Sequence, residues 1–273
     1  MISLRRGAIC ILFLVAACAL DSVAQNSIKP NSQSNPASVP SAVVQLVAVG
    51  PGAHGHNEDC SATGFIINED GTILTNAHVV EKSKECLAQS PGAKILAKFA
   101  NSGLTRRASS AKPGAMQPTP MAAPAIACDV IGVDDLHDLA VLKPERPPPS
   151  DDAGRTIPYV LLGAARAAIG VPVKVTGHPA STWDALTQTG KIIARKSLPL
   201  FERSNEPSEM IVLDIPLKHG SSGSPVYLEA GGAVVGVVER QNTWDSFQTL
   251  AVPIGYAIEL LNRLGVKWHA APY

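Results

Sequence analysis

The stretch that decides the fold of this chain is Gly220-Ser221-Ser222-Gly223-Ser224-Pro225. Its small residues allow the backbone to curl around Ser222, so that several N–H groups point toward one place. A serine hydroxyl is a poor nucleophile at neutral pH. It becomes reactive when an imidazole takes its proton and a carboxylate orients that imidazole. Ser222 therefore requires a histidine and an acid elsewhere in the chain.

His78 and Asp138 are the candidates for these two partners. His78 follows a short apolar strand pattern, and Asp138 stands directly before the apolar residues 139–142. Asp134 and Asp135 are competing acids, but their positions fit exposed turn residues, which favours Asp138. The order His, Asp, Ser along the chain is the one found in chymotrypsin-type folds, whereas subtilisins and α/β-hydrolases use other orders.

Composition excludes some classes of function. A chain of 273 residues can form one large or two small domains, and its hydrophobic fraction of 45% is ordinary for a globular protein. The formal net charge is zero and only 4% of residues are aromatic. Since basic patches and aromatic stacking platforms are typical of nucleic-acid binding, we expect no nucleic-acid partner.

The N-terminus has the features of an export signal. Arg5 and Arg6 precede an apolar run over residues 8–20, which is too short for a transmembrane helix. Small residues before Gln25 predict cleavage there and a soluble, periplasmic or secreted protein. The alternative is a lipoprotein anchored through Cys18, because the residues before Cys18 resemble a bacterial lipobox. Membrane attachment is expected only in that second case.

Export permits disulfide formation. Cys60, Cys86 and Cys128 remain after the leader, so one intramolecular bridge at most is expected, with one thiol left over. Cys60–Cys86 is the preferred pair, because it would join the two sides of the segment that carries His78. Cys86–Cys128 is the second possibility, and the sequence does not decide between them.

Short apolar runs separated by glycine and proline predict a β-rich protein. Residues 62–68 and 72–75 predict a β-hairpin that leads to His78, with a tight turn between them and Gly71 at a positive φ. Residues 254–264 have helical apolar spacing and stop before Gly265. Many short strands and one terminal helix indicate an all-β architecture.

Five segments in the same order resemble the HtrA/Deg-type, trypsin-like serine proteases of bacteria. They are residues 62–80, 138–143, 176–179, 220–225 and 232–237. The resemblance implies a chymotrypsin-like double β-barrel with a C-terminal helix and an active site between the barrels. The expected organisation is a signal peptide (1–24), a flexible tether (25–41), an N-terminal barrel (42–146) with a mobile insertion (101–124), and a C-terminal barrel with the terminal helix (147–273).

The resemblance also implies a role for each residue of the site. Ser222 would be the nucleophile, His78 the general base and then acid, and Asp138 the group that orients His78. The backbone N–H groups of Gly220 and Ser222 would form the oxyanion hole. The chemistry needs no cofactor and no metal. A cluster of histidine, acidic and cysteine residues at 54–60 has a spacing that fits no standard zinc site.

Two residues of the loop that carries Ser222 (residues 220–225, the nucleophile loop) depart from the family pattern, because Ser221 and Ser224 replace an asparagine and a glycine. A similar loop occurs in glutamyl endopeptidases, but the histidine that those enzymes use to bind acidic side chains corresponds here to Val238. With no aspartate at the base of the pocket, we expect a preference for medium-sized aliphatic side chains. The candidate substrate-binding residues are Pro216, Leu217, His219, Val238, Glu239 and Arg240, with Glu239 and Arg240 at the rim.

The resulting prediction is an exported serine endopeptidase that hydrolyses protein or peptide substrates through an acyl-enzyme. Because the chain stops soon after the protease-like region, no PDZ domain is expected, and the oligomeric state stays open. The alternative is a non-catalytic protein of the cell envelope that binds peptides on the same fold. An esterase with the same triad is a third possibility, since the chemistry alone does not distinguish amides from esters.

Overall fold

The computed structural model describes residues 27–28, 38–49, 61–88, 94–99, 125–148, 157–182, 184–199, 206–241, 245 and 247–272. The elements in this part of the chain are β1 (Ser27–Ile28), β2 (Val43–Val49), β3 (Ser61–Ile66), β4 (Ile73–Thr75), α1 (Ala77–Ala88), β5 (Lys94–Phe99), β6 (Ala125–Asp134), β7 (Leu139–Pro144), β8 (Pro172–Gly177), β9 (Leu186–Pro199), β10 (Pro207–Leu213), β11 (Pro225–Leu228), β12 (Val234–Gln241), β13 (Thr249–Pro253), α2 (Ile254–Arg263) and β14 (Trp268–His269).

Twelve of these strands form two closed antiparallel barrels. The first barrel has the strand order β2-β3-β4-β7-β6-β5, and the second has the order β10-β13-β12-β11-β8-β9. The alternating burial along β5 shows why the sequence folds this way, since every second side chain points into the barrel. The predicted all-β double barrel and its C-terminal helix are confirmed.

The hairpin that precedes the candidate base is built as the sequence predicts. The side-chain oxygen of Asn68 accepts hydrogen bonds from the backbone N–H groups of Asp70 and Thr72, both 3.1 Å long. Gly71 has a φ of 76°, which a side chain would disfavour. One feature differs from the prediction. His78 lies in the first turn of α1, a helix that its evenly mixed polar and apolar sequence did not reveal.

One apolar cluster contains residues of both barrels, and a second cluster lies within the second barrel. The segment between the barrels is held by backbone hydrogen bonds from Val160 N–H to the carbonyl of Ile66 in the first barrel and from Leu162 N–H to the carbonyl of His269 in β14. After the second barrel, α2 and β14 return to the first, where Arg263 pairs with Asp134 at 2.9 Å. These contacts fix the relative position of the barrels and therefore the shape of the cleft between them.

Several sequence predictions fall outside the described residues. The signal peptide, the Cys18 alternative and the insertion at 101–124 are among them, and most of the tether is as well. Two tether residues, Ser27 and Ile28, pair in parallel with Trp268 and His269, so this part of the tether is a strand. Neither α-helix of the described part has the length and hydropathy to cross a membrane.

The state of Cys86 and Cys128 decides between the two predicted disulfide pairings. Cys86 is disulfide-bonded, whereas Cys128 is a free thiol. The Cys86–Cys128 alternative is therefore wrong, because Cys128 points into the first barrel. Burial is the main reason why the pKa of the Cys128 thiol rises to about 12, and the thiol is unreactive as a result. Cys60 lies outside the described residues, so its pairing with Cys86 stays a prediction.

Candidate active site

His78 and Asp138 form a tightly held pair at the edge of the first barrel. The Nδ1 atom of His78 lies 2.7 Å from Oδ2 of Asp138, and the backbone N–H of His78 donates to Oδ1 at 2.8 Å. Asp138 is fully buried. Two hydrogen bonds to one carboxylate fix both the orientation and the tautomer of the imidazole, leaving Nε2 to accept a proton.

Asp138 adopts an unusual backbone conformation to reach His78. Its φ is 53°, in the left-handed region that aspartate tolerates better than most residues. The side chain of Asn76 donates a 3.0 Å hydrogen bond to the carbonyl of Asp138 and supports this turn. Strained residues of this kind concentrate at functional sites.

Asp134 and Asp135, the acids that compete with Asp138 for this role, do not contact His78. Asp134 lies 3.1 Å from the ring of His137 and 2.9 Å from Arg263, on the far side of the turn. Burial acts to raise the pKa of Asp134, but hydrogen bonds from His137 and Arg263 outweigh it and lower that pKa. Asp135 is exposed. Only Asp138, of the three, contacts His78.

The nucleophile loop joins the two barrels. Thr63 of β3 donates from its backbone N–H to the carbonyl of Ser222 and from its hydroxyl to the carbonyl of Gly220, both at 2.9 Å. Gly223 has a φ of 85°, and a Cβ there would lie 2.0 Å from the carbonyl oxygen of Thr63. The loop therefore requires glycine at position 223.

The hydroxyl of Ser222 donates a 3.0 Å hydrogen bond to the backbone carbonyl of Glu239. In the described part of the chain, the hydroxyl has no other hydrogen-bond partner. Likewise, no acceptor within the described residues takes a backbone hydrogen bond from the N–H groups of Gly220 or Ser222. These two N–H groups are the ones expected to form the oxyanion hole, and Gly220 has a φ of 89°, which helps the loop to curl.

A cleft of about 440 Å³ lies between the barrels and contains both His78 and Ser222. The candidate substrate-binding residues that line it are Leu217, His219, Val238, Glu239 and Arg240. Pro216 is not among the residues that line this cleft, so its role in substrate binding stays a prediction. Buried and exposed residues alternate over 215–218, and Pro216 is exposed while Leu217 is buried.

Several cleft residues were missed from the sequence, because their positions depend on the unpredicted helix and on loop geometry. They are Ser61, Ala62, Val79, Lys82, Ser83, Lys218, Ser221 and Gln241. His178 is buried and is not among the residues that line the cleft. Its Nδ1 atom lies 3.0 Å from the carbonyl of Thr182. Burial lowers the pKa of His178 and favours its neutral form.

Glu239 was expected at the rim, yet it is only 1% exposed. One carboxylate oxygen of Glu239, a ring nitrogen of His78 and a carboxylate oxygen of Asp138 lie within 4.8 Å of one another. Burial, opposed by the Arg240 charge and reinforced by Asp138, raises the pKa of Glu239 to about 8. The three groups have the spacing of metal ligands. However, Asp138 already accepts two hydrogen bonds from His78, and Arg240 bonds Oε1 of Glu239, so the cluster fits proton exchange better than metal binding.

Comparison with known proteins defines the class. Residues 62–237 match the family model of the trypsin-like peptidase domain, and the chain belongs to this family. The match contains the candidate base, acid and nucleophile, together with the strands that position them.

The curated relatives are HtrA/Deg-type proteins. The chain is 26% identical over 220 residues to a probable periplasmic serine endoprotease DegP-like from Halomonas elongata, covering 78% of this chain and 37% of the relative. It is 29% identical over 208 residues to the corresponding protein of Hahella chejuensis, covering 75% and 35%. The chain thus spans little more than a third of these relatives' length.

Solved structures show the same fold. The active form of the Rv3671c protease from M. tuberculosis matches with a TM-score of 0.59 and 19% identity, over 85% of each chain. A serine endoprotease from Yersinia pestis matches with a TM-score of 0.54 and 21% identity, over 83% of this chain and 63% of that one. At these identities the likeness concerns the fold alone.

Proposed function

We propose that this protein is a serine endopeptidase in which Ser222 is the nucleophile, His78 the general base and Asp138 the orienting acid. The observation that carries the proposal is the cleft itself. It holds Ser222 together with His78, whose Nδ1 atom Asp138 binds at 2.7 Å. Membership of the trypsin-like family and the names of the relatives support the same activity.

The mechanism follows from the contacts. The hydroxyl of Ser222 turns from the carbonyl of Glu239 toward His78, which takes its proton as Oγ bonds the substrate carbonyl carbon. The resulting oxyanion accepts hydrogen bonds from the N–H groups of Gly220 and Ser222, each worth about 3 kcal/mol of barrier. His78 then gives its proton to the leaving amine. Water hydrolyses the acyl-enzyme in a second, equivalent cycle.

The primary pocket is proposed to accept medium-sized aliphatic side chains. Leu217 and Val238 are buried apolar residues that face the cleft, and Val238 stands where a histidine would select acidic substrates. Cleavage of a peptide library by the purified protein measures this preference. A dominant cleavage after acidic or basic residues would contradict the proposal.

We infer that the protein is exported, as the printed names of its periplasmic relatives suggest. The leader is proposed to end before Gln25, with lipidation at Cys18 as the alternative. A disulfide between Cys60 and Cys86 is consistent with an oxidising compartment. Intact mass of the mature protein, measured with and without reductant, distinguishes the two processing sites and tests for the bridge.

Labelling with a fluorophosphonate tests the catalytic assignment. The probe phosphylates an activated serine and loses fluoride. The wild type should be labelled, whereas Ser222→Ala and His78→Ala should not. Ser208→Ala is the matched control, since this serine lies in β10, outside the cleft, and the variant should label normally.

Labelling that persists in Ser222→Ala would contradict the assignment of the nucleophile. A folded wild type that never reacts, while it still binds extended peptides, would favour the non-catalytic alternative. Circular dichroism of each variant shows whether the fold is intact.

A further inference from the structure

Glu239 occupies an irregular position in its strand. In the pairing of β12 with β13, Val238 lies opposite Ala251 and Arg240 opposite Leu250, so Glu239 is the extra residue of a β-bulge. Bulges re-aim side chains and are frequent beside active sites. Here the bulge places a carboxyl group, 1% exposed, under the floor of the cleft.

The surroundings of Glu239 are those of a group that exchanges a proton. Oε1 lies 3.0 Å from Nη1 of Arg240, whereas Oε2 is buried and has no hydrogen-bond partner among the described residues. His78 from α1 and Asp138 from the turn before β7 contribute atoms within 4.8 Å. An ionised carboxylate beside a second one, Asp138, and away from water carries a high desolvation cost.

Other ionisable groups line the same cleft. Lys82 of α1 and Lys218 and His219 of the loop before Ser222 line it. Of the two strands paired with β12, β13 contributes no titratable side chain, and β11 contributes Tyr227, whose hydroxyl lies 2.9 Å from Oγ1 of Thr176. Among the described residues, Asp138 and Glu239 are the acidic groups whose oxygens lie within 4.8 Å of a ring nitrogen of His78, and Arg240 is paired with Glu239.

We propose that Glu239 is a positioning residue of the catalytic centre, whose carboxyl changes the charge facing the His78 imidazole when it gains or loses a proton. This inference rests on the proposed triad mechanism. At neutral pH the carboxyl of Glu239 is protonated and neutral, and of these two acids only Asp138 carries a negative charge beside His78. At alkaline pH the carboxylate adds a second negative charge.

The chemical consequence concerns the transition state of acylation. As Ser222 bonds the electrophile, its proton moves to His78, which becomes a cation. A negative charge a few ångströms away stabilises that cation in a site of low dielectric. The raised pKa of Glu239, about 8, follows first from burial and places the change in the alkaline range. The proton that Glu239 releases goes to solvent before the reaction begins.

The pH dependence of fluorophosphonate acylation tests the inference. For the wild type, the second-order rate should rise in two steps. The first step, at lower pH, is the loss of a proton by His78, which must be neutral to accept the proton of Ser222. The second, near pH 8, should increase the rate about tenfold. Glu239→Gln resembles the protonated form and should keep the first step and lose the second.

Three further variants make the test specific. Glu239→Asp restores an ionisable group and should restore the alkaline step. Arg240→Gln removes the cation that lowers the pKa of Glu239 and should move the step to higher pH. Glu229→Gln, an exposed residue between β11 and β12, should retain the wild-type profile. If Glu239 had only a structural role, these variants would not change the presence or the pH of the alkaline step.

Two outcomes would overturn the inference while leaving the proposed function intact. One is a single-step profile for the wild type, and the other is an unchanged two-step profile for Glu239→Gln. If none of the folded proteins reacts with the probe at any pH, the triad mechanism fails, and the inference fails with it.

Discussion

At the scale of single residues, the site depends on Asp138, because both of its carboxylate oxygens bind a nitrogen atom of His78. Oδ1 accepts the backbone N–H of His78, and Oδ2 accepts the ring. An asparagine at position 138 can supply only one of these acceptors. If its oxygen keeps the backbone bond, its NH₂ group faces Nδ1 and forces the proton onto Nε2. His78 then cannot receive the proton of Ser222.

We therefore expect Asp138→Asn to reduce the acylation rate by about 10⁴-fold. The fold should be retained, because asparagine also tolerates a positive φ. Asp134→Asn is the matched control, since it removes an acid that contacts His137 and Arg263 instead. The fluorophosphonate rate at pH 7.5 provides the measurement, and a decrease of less than tenfold would contradict the assigned role of Asp138.

The buried carboxyl of Glu239 also has a consequence for stability. Its pKa rises from 4.5 to about 8, so the folded protein keeps a proton that the unfolded chain has released between these pH values. The free energy of unfolding of the wild type should therefore fall as pH increases from about 4.5 to 8. Glu239→Gln lacks this effect.

The stability of Glu239→Gln relative to the wild type should consequently increase with pH. The difference is expected to be small at pH 5 and a few kcal/mol, at most about 5, at pH 9. Urea unfolding in a Ser222→Ala background measures it without autolysis, with Glu229→Gln as the exposed control. A difference that does not change between pH 5 and pH 9 would disprove a raised pKa.

At the scale of secondary structure elements, the sequence predicted what depends on local pattern. The β3–β4 hairpin follows from Asn68 and Gly71, and α2 follows from its apolar spacing. The helix α1 was missed, because half of its twelve residues are polar and only four are buried. The burial of Glu239 was missed for another reason. A charged residue after an apolar strand indicates exposure, and nothing in the sequence marks the bulge that turns this side chain inward.

The contact between β3 and the nucleophile loop is the element-level feature on which activity should depend. A methyl group at Gly223 would lie 2.0 Å from the carbonyl of Thr63 and 2.4 Å from Oγ1 of Thr75. Both are rigid neighbours, since Thr75 itself donates to the Thr63 carbonyl at 2.8 Å. The loop would have to move away from β3 and take Ser222 with it.

We expect Gly223→Ala to lower the acylation rate at least 100-fold and to destabilise the fold by about 2–4 kcal/mol. Gly231→Ala is a matched control. Its φ of 80° imposes the same backbone strain, yet nothing lies within 4 Å of the added methyl group. That variant should lose about 1–2 kcal/mol and keep its activity. Equal losses in the two variants would mean that φ alone, and not the contact with β3, matters.

At the scale of the whole molecule, the barrels behave as one unit because the chain returns to the first barrel after completing the second. The side chain of Asn68, in the β3–β4 hairpin, donates a 2.9 Å hydrogen bond to the carbonyl of Lys267, and Oε2 of Glu69 lies 2.9 Å from Nε2 of His269. Tyr159, from the segment between the barrels, stacks on the same ring. The cleft is formed between surfaces that these contacts hold together, so its geometry and the overall stability should change together.

Asn68→Ala tests this coupling. The variant leaves the N–H groups of Asp70 and Thr72 and the carbonyl of Lys267 without their partner, at a cost of about 2–3 kcal/mol. For a protein of this size the melting temperature should fall by roughly 5–10 °C, in a single transition as in the wild type. Asp70→Ala, an exposed residue of the same turn, should leave it nearly unchanged. If calorimetry showed two transitions, of which only one moved in Asn68→Ala, the barrels would be unfolding separately and the return of the chain would not couple them.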